Sequence, residues 1–239
     1  MVLIHTTFSA LAIFDPHAIK LIGFEHSIYV RFSLLALSSI FFLVDPFAAL
    51  PTFMAITASV TPERRRRMAL RASLTALIVL TAFALAGEYI FRLFGITLPA
   101  FEIAGGIILL LIGLEMLQAK RSATQESSGE TAEAAVKDDA GIVPLGIPML
   151  AGPGAITSVM VLVGQVQSAW QMVAILSAIA ITATVCFLVL GSAEKVRSVL
   201  GETGIRILVR IMGLLLVALA VQYFVNGLGD LGLIAKIGE

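Results

Sequence analysis

Gly152-Pro153-Gly154 interrupts an apolar run that extends from Ile142 to about Gly164. A run of that length is membrane-spanning material, yet its centre holds the residues least suited to a helix. Pro153 has no N–H to give the carbonyl of Met149, and Pro148 removes another donor upstream. The spacing predicts a helix that breaks near mid-membrane. In hydrocarbon a freed carbonyl has no water to turn to, so a break persists only where protein or a wet cavity satisfies it. A broken helix in this setting points to a site.

The remainder of the chain agrees with a bilayer as solvent. Of 239 residues, 59% are hydrophobic and 13% charged, with a mean hydropathy of +1.00, against about 25% charged in a soluble domain. The class is an all-α polytopic membrane protein. Formal net charge is zero and no basic stripe runs beside aromatics, so nucleic acid is not an expected partner. Cys186 is the one cysteine, which excludes an internal disulfide and a cysteine-based metal cluster. His5, His17 and His26 all precede the first span and are read as incidental, so no metal site is expected.

Residues 1–26 form an N-terminal extension without a basic leader or small-residue cleavage site, read as interfacial or loosely held. The first apolar run, from Ile28 to about Val60, would be about 50 Å long as straight helix against a core of about 30 Å, so it too must bend. Its centre reads Asp45-Pro46-Phe47-Ala48-Ala49-Leu50-Pro51-Thr52-Phe53, a break carrying a carboxylate. Thr61-Pro62 then reads as the cap and first residue of a helix that opens on four arginines. Span two runs from about Met68 to Phe94 and span three from about Leu98 to Leu117. Residues 118–141 are a polar cytoplasmic linker with a short helix expected at Glu130 to Lys137. Spans four, five and six fall at about 142–164, 170–192 and 205–226, before a tail at 229–239.

With the Arg64 cluster placed inside, only Lys20, Arg31, Arg92 and Lys236 of the 16 basic residues lie outside. The positive-inside rule then puts both termini outside. The halves also resemble each other. A shift of 107 lays Pro46 on Pro153, Ala48 on Ala155 and Gly106 on Gly213, while Glu88 to Gly95 matches Glu194 to Gly201 at a shift of 106. Three spans is an odd number, so the second unit (142–228) is expected upside down relative to the first (27–117), with the broken helices 1 and 4 facing each other.

The combination of Asp45-Pro46 with Pro51-Thr52-Phe53, Ala151-Gly152-Pro153-Gly154-Ala155-Ile156, Arg210-Ile211-Met212-Gly213 and Gln222-Tyr223-Phe224-Val225-Asn226-Gly227 resembles the MarC family of integral membrane proteins over about residues 27–228. The resemblance implies a six-span inner-membrane protein grouped with LysE-like exporters of small solutes, some relatives being described as transporters of small neutral amino acids. The extension to His26 departs from the family pattern.

Each candidate residue has two readings. Asp45 caps the helix resuming at Pro46, or binds a substrate ammonium, a coupling cation or a proton. Gly152, Pro153 and Gly154 let helices pack closely, or expose half-helix N–H groups to a solute carboxylate. Thr157 and Ser158 bond their own backbone, or add hydroxyl contacts to a substrate, with Pro51 and Thr52 as the counterparts in the first half. Arg71, Arg206, Arg210, Glu88, Glu102 and Glu115 are read as snorkelling from span ends, and a polar group recurs where Glu115 matches Gln222.

The function expected is a secondary transporter of small polar solutes, chiefly small neutral amino acids, working by alternating access with H+ or Na+ as coupling ion. Its partners are that solute and membrane lipid; the sequence does not define an oligomeric state. A non-transporting scaffold or sensor and an intramembrane enzyme are the rivals. No Gly-Lys-Ser phosphate loop and no His-Glu-x-x-His zinc motif occurs, so neither ATP coupling nor that enzyme class is expected.

Overall fold

The computed structural model describes residues 28–58, 60–118, 142–143 and 145–233, and among these every regular element is helical. The N-terminal extension, most of the linker with its expected short helix, and the last residues of the tail lie outside the described residues. Helices α1 (Ile28–Val44) and α2 (Ala49–Ile56) are the arms of the first interrupted run, bent by 46° at the Asp45-Pro46 break. Helix α3 (Pro62–Phe94) begins as its sequence implies, with Thr61 Oγ1 accepting from the Arg64 N–H at 3.4 Å and Pro62 in the first turn. It ends at Gly95, whose φ of 63° is left-handed backbone that a side chain would strain. Helix α4 (Leu98–Leu117) is capped by Thr97 in the same way.

The second interrupted run is a wide helical turn, Leu145–Leu150, followed by α5 (Pro153–Gly164). Ile147 is extended inside the turn, and Gly152 at ψ 170° is the extended cap ahead of Pro153. Helix α6 (Ala169–Gly191) opens on a capping box between Ser168 and Gln171, and α7 (Ala193–Asp230) is bent at Gly201, with φ 65°. Four of these helices are long and apolar enough to cross a bilayer, five if α1 and α2 count as one bent span. Six spans were expected. The difference lies in the Ile142–Gly164 run, whose break leaves α5 only 12 residues, about 18 Å against a core of about 30 Å.

Packing divides the described residues into two clusters. The larger joins α1, α2, α3, the Leu145–Leu150 turn, α5, α6 and the start of α7 at Ala193; the smaller joins α4 and the part of α7 beyond Gly201 with Leu43 and Val161. The α4–α7 contact is the most extensive, and it is made through small residues, the device by which helices gain close packing where lipid removes the hydrophobic drive. A Cβ on Gly106 would stand 2.9 Å from the Ala220 carbonyl, and one on Gly213 would stand 3.0 Å from that of Gly113. Under the shift of 107, Gly106 becomes Gly213 and Ala220 becomes Gly113, so one contact is the image of the other. The same exchange relates the α1–α6 contact to the contact of α3 with the Leu145–Leu150 turn. On the outside, Ile78, Leu85 and Val173 are more than half exposed, as lipid-facing side chains are.

At the arginine-rich start of α3, Arg65 pairs with Glu194 at the start of α7 and donates to the Thr57 carbonyl at 3.3 Å. Arg66 lies over the Phe187 ring at 5.8 Å. Both interactions tie the first half of the chain to the second.

Candidate functional site

The two breaks meet. They line a single cavity together with Leu43 and Val44 of α1, Leu109, Ile112 and Met116 of α4, Met149, and Leu216 of α7. From the first break come Asp45, Ala48 and Ala49, and from the second Gly152 and Gly154. Its free volume of about 20 Å3 admits about one water molecule. The cavity sits at the seam between the two packing clusters, with α4 and α7 forming the wall opposite the breaks.

Asp45 caps a turn over residues 46–48 and not a helix resuming at Pro46, since α2 begins only at Ala49 with Ala48 as its cap. Its backbone N–H still bonds the Phe41 carbonyl at 3.1 Å, completing α1. The residue then turns to φ 43°, a left-handed conformation that Asp and Asn enter more readily than other side chains. That turn aims Oδ1 at the Ala48 N–H, which donates to it at 3.1 Å and so starts the chain toward α2. Oδ2 is buried and has no hydrogen-bond partner. A buried acceptor left open in this way is costly unless something else occupies it. Cys186 of α6 lies within electrostatic range of the carboxyl.

The second break contributes backbone. Pro153 is the first residue of α5 and carries no N–H, while the Ile156 N–H is bonded to the Gly152 carbonyl at 3.0 Å. Gly154 and Ala155 therefore supply first-turn N–H groups that a helix leaves without an internal acceptor. Gly154 is also tightly packed. A Cβ there would stand 2.5 Å from Leu109 Cδ2 and 3.8 Å from Leu43 Cδ2, both cavity-lining side chains.

Of the nine residues proposed from sequence, Asp45, Gly152 and Gly154 are brought to the cavity. Pro46 and Pro153 set the breaks without lining it. Pro51 is exposed and Thr52 half-buried on α2, away from the cavity wall. Thr157 donates to the Pro153 carbonyl at 2.8 Å and packs on Gly105, so its hydroxyl takes the backbone alternative. Ser158 is buried without a hydrogen-bond partner and does not line this cavity. Sequence reasoning passed over Leu109, Ile112, Met116 and Leu216, whose pattern is that of any apolar helix. Glu102 departs from the snorkelling expectation, being 3% exposed inside the α4, α5 and α7 packing.

Similarity to known proteins covers the same region. A family model described as "MarC family integral membrane protein" matches residues 30–231. The UPF0056 membrane protein MJ1677 of Methanocaldococcus jannaschii is 42% identical over 200 residues, covering 83% of this chain and 97% of its own length. A UPF0056 membrane protein of Aquifex aeolicus is 38% identical over 82% of this chain and 92% of its own. The UPF0056 membrane protein YhcE of Escherichia coli is 35% identical over 86% and 94%. No solved structure matches the chain.

Proposed function

The chain belongs to the MarC family of integral membrane proteins, and from that premise we propose that it is a secondary transporter of small polar solutes, small neutral amino acids first among them. The observation that carries the reading is the meeting of the two breaks at one buried cavity, with Asp45 contributed by the first break and Gly154, at the start of α5, by the second. A neutral amino acid has an ammonium and a carboxylate at opposite ends of one carbon. Asp45 suits the first, and the Gly154 and Ala155 N–H groups at a positive helix end suit the second.

A cavity of about 20 Å3 is too small for such a solute, so in this reading the conformation is the closed one between two open states. Opening occurs at the seam, where α4 and α7 move as a pair against the larger cluster. The mirrored glycine contacts and the matching left-handed glycines, Gly95 and Gly201, support an inverted repeat that would make the inward and outward openings equivalent. The multi-pass protein would sit in the inner membrane with both termini outside, driven by H+ or Na+. In this reading it is a carrier and makes or breaks no bond in its solute.

Purified protein in detergent, screened against amino acids for a rise in unfolding temperature, identifies the solute, because a ligand of the folded state stabilises it. Reconstituted vesicles then test flux. Stabilisation without flux would replace the carrier with a sensor, and absence of both for every solute would favour a scaffold.

A further inference from the structure

A second group of buried oxygens lies outside the cavity. Glu102 of α4 is two turns before the cavity-lining Leu109, and Tyr223 of α7 is two turns after Leu216, which places both about 10 Å from the cavity toward the same end of the bundle. Ser158 is one turn beyond Gly154 on α5, in the same direction. Close backbone approaches hold the three helices here. Gly105 packs on Thr157, Gly106 on the Ala220 carbonyl, and Gly227 on the Pro99 carbonyl. The Tyr223 hydroxyl is within electrostatic range of both Ser158 and Glu102, and the Ser158 pair falls short of hydrogen-bond geometry. Glu102 Oε2 and Ser158 Oγ are both buried without a partner, in residues 3% and 1% exposed.

A carboxylate oxygen in that position carries a large desolvation cost unless a positive charge accompanies it. The facing groups are a carboxylate and two hydroxyls, all oxygen, which is donor chemistry for a hard cation or a proton. One carboxylate balances one charge. The other charged group within electrostatic range of Glu102 is Asp230, at the end of α7, and α5 carries no charged residue.

We propose that Glu102, Ser158 and Tyr223 form a binding site for one monovalent cation, either a proton or a sodium ion, separate from the Asp45 cavity. The site gives the carrier reading its coupling ion, and it rests on that reading for its purpose while its occupancy is measured without flux. Cation release here would loosen the α4–α7 pair from α5, the same seam at which the cavity opens.

The test uses the full chain in detergent, with unfolding temperature followed as choline chloride is exchanged for sodium or potassium chloride at constant ionic strength, and separately as pH is varied. For sodium, the wild type shows a saturable rise absent with potassium, and Glu102→Gln abolishes it. For the proton, the pH dependence of the midpoint differs between wild type and Glu102→Gln, with no sodium response. Ser158→Ala and Tyr223→Phe weaken apparent cation affinity by about two- to tenfold, the loss of one oxygen contact. Equal midpoints in all salts with the same pH dependence in wild type and Glu102→Gln overturn the site, as does a response lost in Asp45→Asn and kept in Glu102→Gln. Should Glu102→Gln fail to fold, unchanged affinity in both hydroxyl variants is the overturning result. A cation response in a protein without solute flux would leave this site standing and remove only the carrier.

Discussion

The break at Asp45-Pro46 and the break at Gly152-Pro153 occupy corresponding places in the two halves, yet they solve the same problem with different groups. The first covers its freed backbone with a side chain, Asp45 Oδ1 accepting from Ala48, and holds a second oxygen open. The second has no side chain to offer. It stays extended at Gly152, uses one N–H on the Gly152 carbonyl, and leaves the start of α5 facing the cavity. The difference teaches that proline dictates the bend in both places while the groups presented there differ, a carboxylate at the first and backbone N–H groups at the second.

The widest test asks whether the two breaks are inverted copies at all. Ile96 and Glu202, just past Gly95 and Gly201, correspond under the shift of 106 and lie at the two left-handed corners. In a Cys186→Ala background, Ile96→Cys should react with an impermeant thiol reagent from outside and Glu202→Cys only after the membrane is opened. Labelling of both from one side would remove the inversion and with it the equivalence of the breaks.

Next in size is the charge at the first break. Asp45→Asn keeps a capping oxygen and tolerates the left-handed φ, so it isolates the negative charge. Solute affinity and flux should fall about tenfold, or about 1.4 kcal/mol. Wild-type flux would reduce Asp45 to a cap.

At the second break, Gly154→Ala should weaken affinity about three- to tenfold, about 0.7–1.4 kcal/mol, by pushing Leu109 Cδ2 into the cavity. Leu109 touches Gly154 with the far end of a flexible side chain, so shortening it in Leu109→Ala should return much of the loss. A double-mutant cycle measures that coupling, and strict additivity would argue that Gly154 acts by some route other than Leu109. Smallest of all is Thr157→Val. The hydroxyl is committed to the Pro153 carbonyl, so affinity should change less than about twofold, or about 0.4 kcal/mol. A large loss would return Thr157 to the site and make the second break a side-chain site like the first.

The sequence by itself determined the solvent, the positions of both bends and the start of α3, whereas α2 begins at Ala49 and not at Pro46, and α7 begins at Ala193, well before the span expected from about 205. The features it determined follow from local rules: proline removes a donor wherever it stands, and Thr61 caps because the next turn's N–H groups are within reach of its own side chain. The self-similarity of the halves was legible for the same reason, being carried in residue identities. What only the tertiary structure decided is which polar atoms end up alone. Glu102 and Arg92 look alike in sequence, charged residues near span ends, and packing of α4 between α5 and α7 is what left Glu102 buried. Thr157 and Ser158 are neighbours of similar chemistry, but at 100° per residue around α5 one reaches its own backbone and the other faces Tyr223. The apolar wall of Leu109, Ile112, Met116 and Leu216 was invisible for a related reason, since in a chain of 59% hydrophobic residues a leucine facing a cavity and one facing lipid read the same. Burial and partnership are properties of pairs of helices, and no single helix encodes its neighbour.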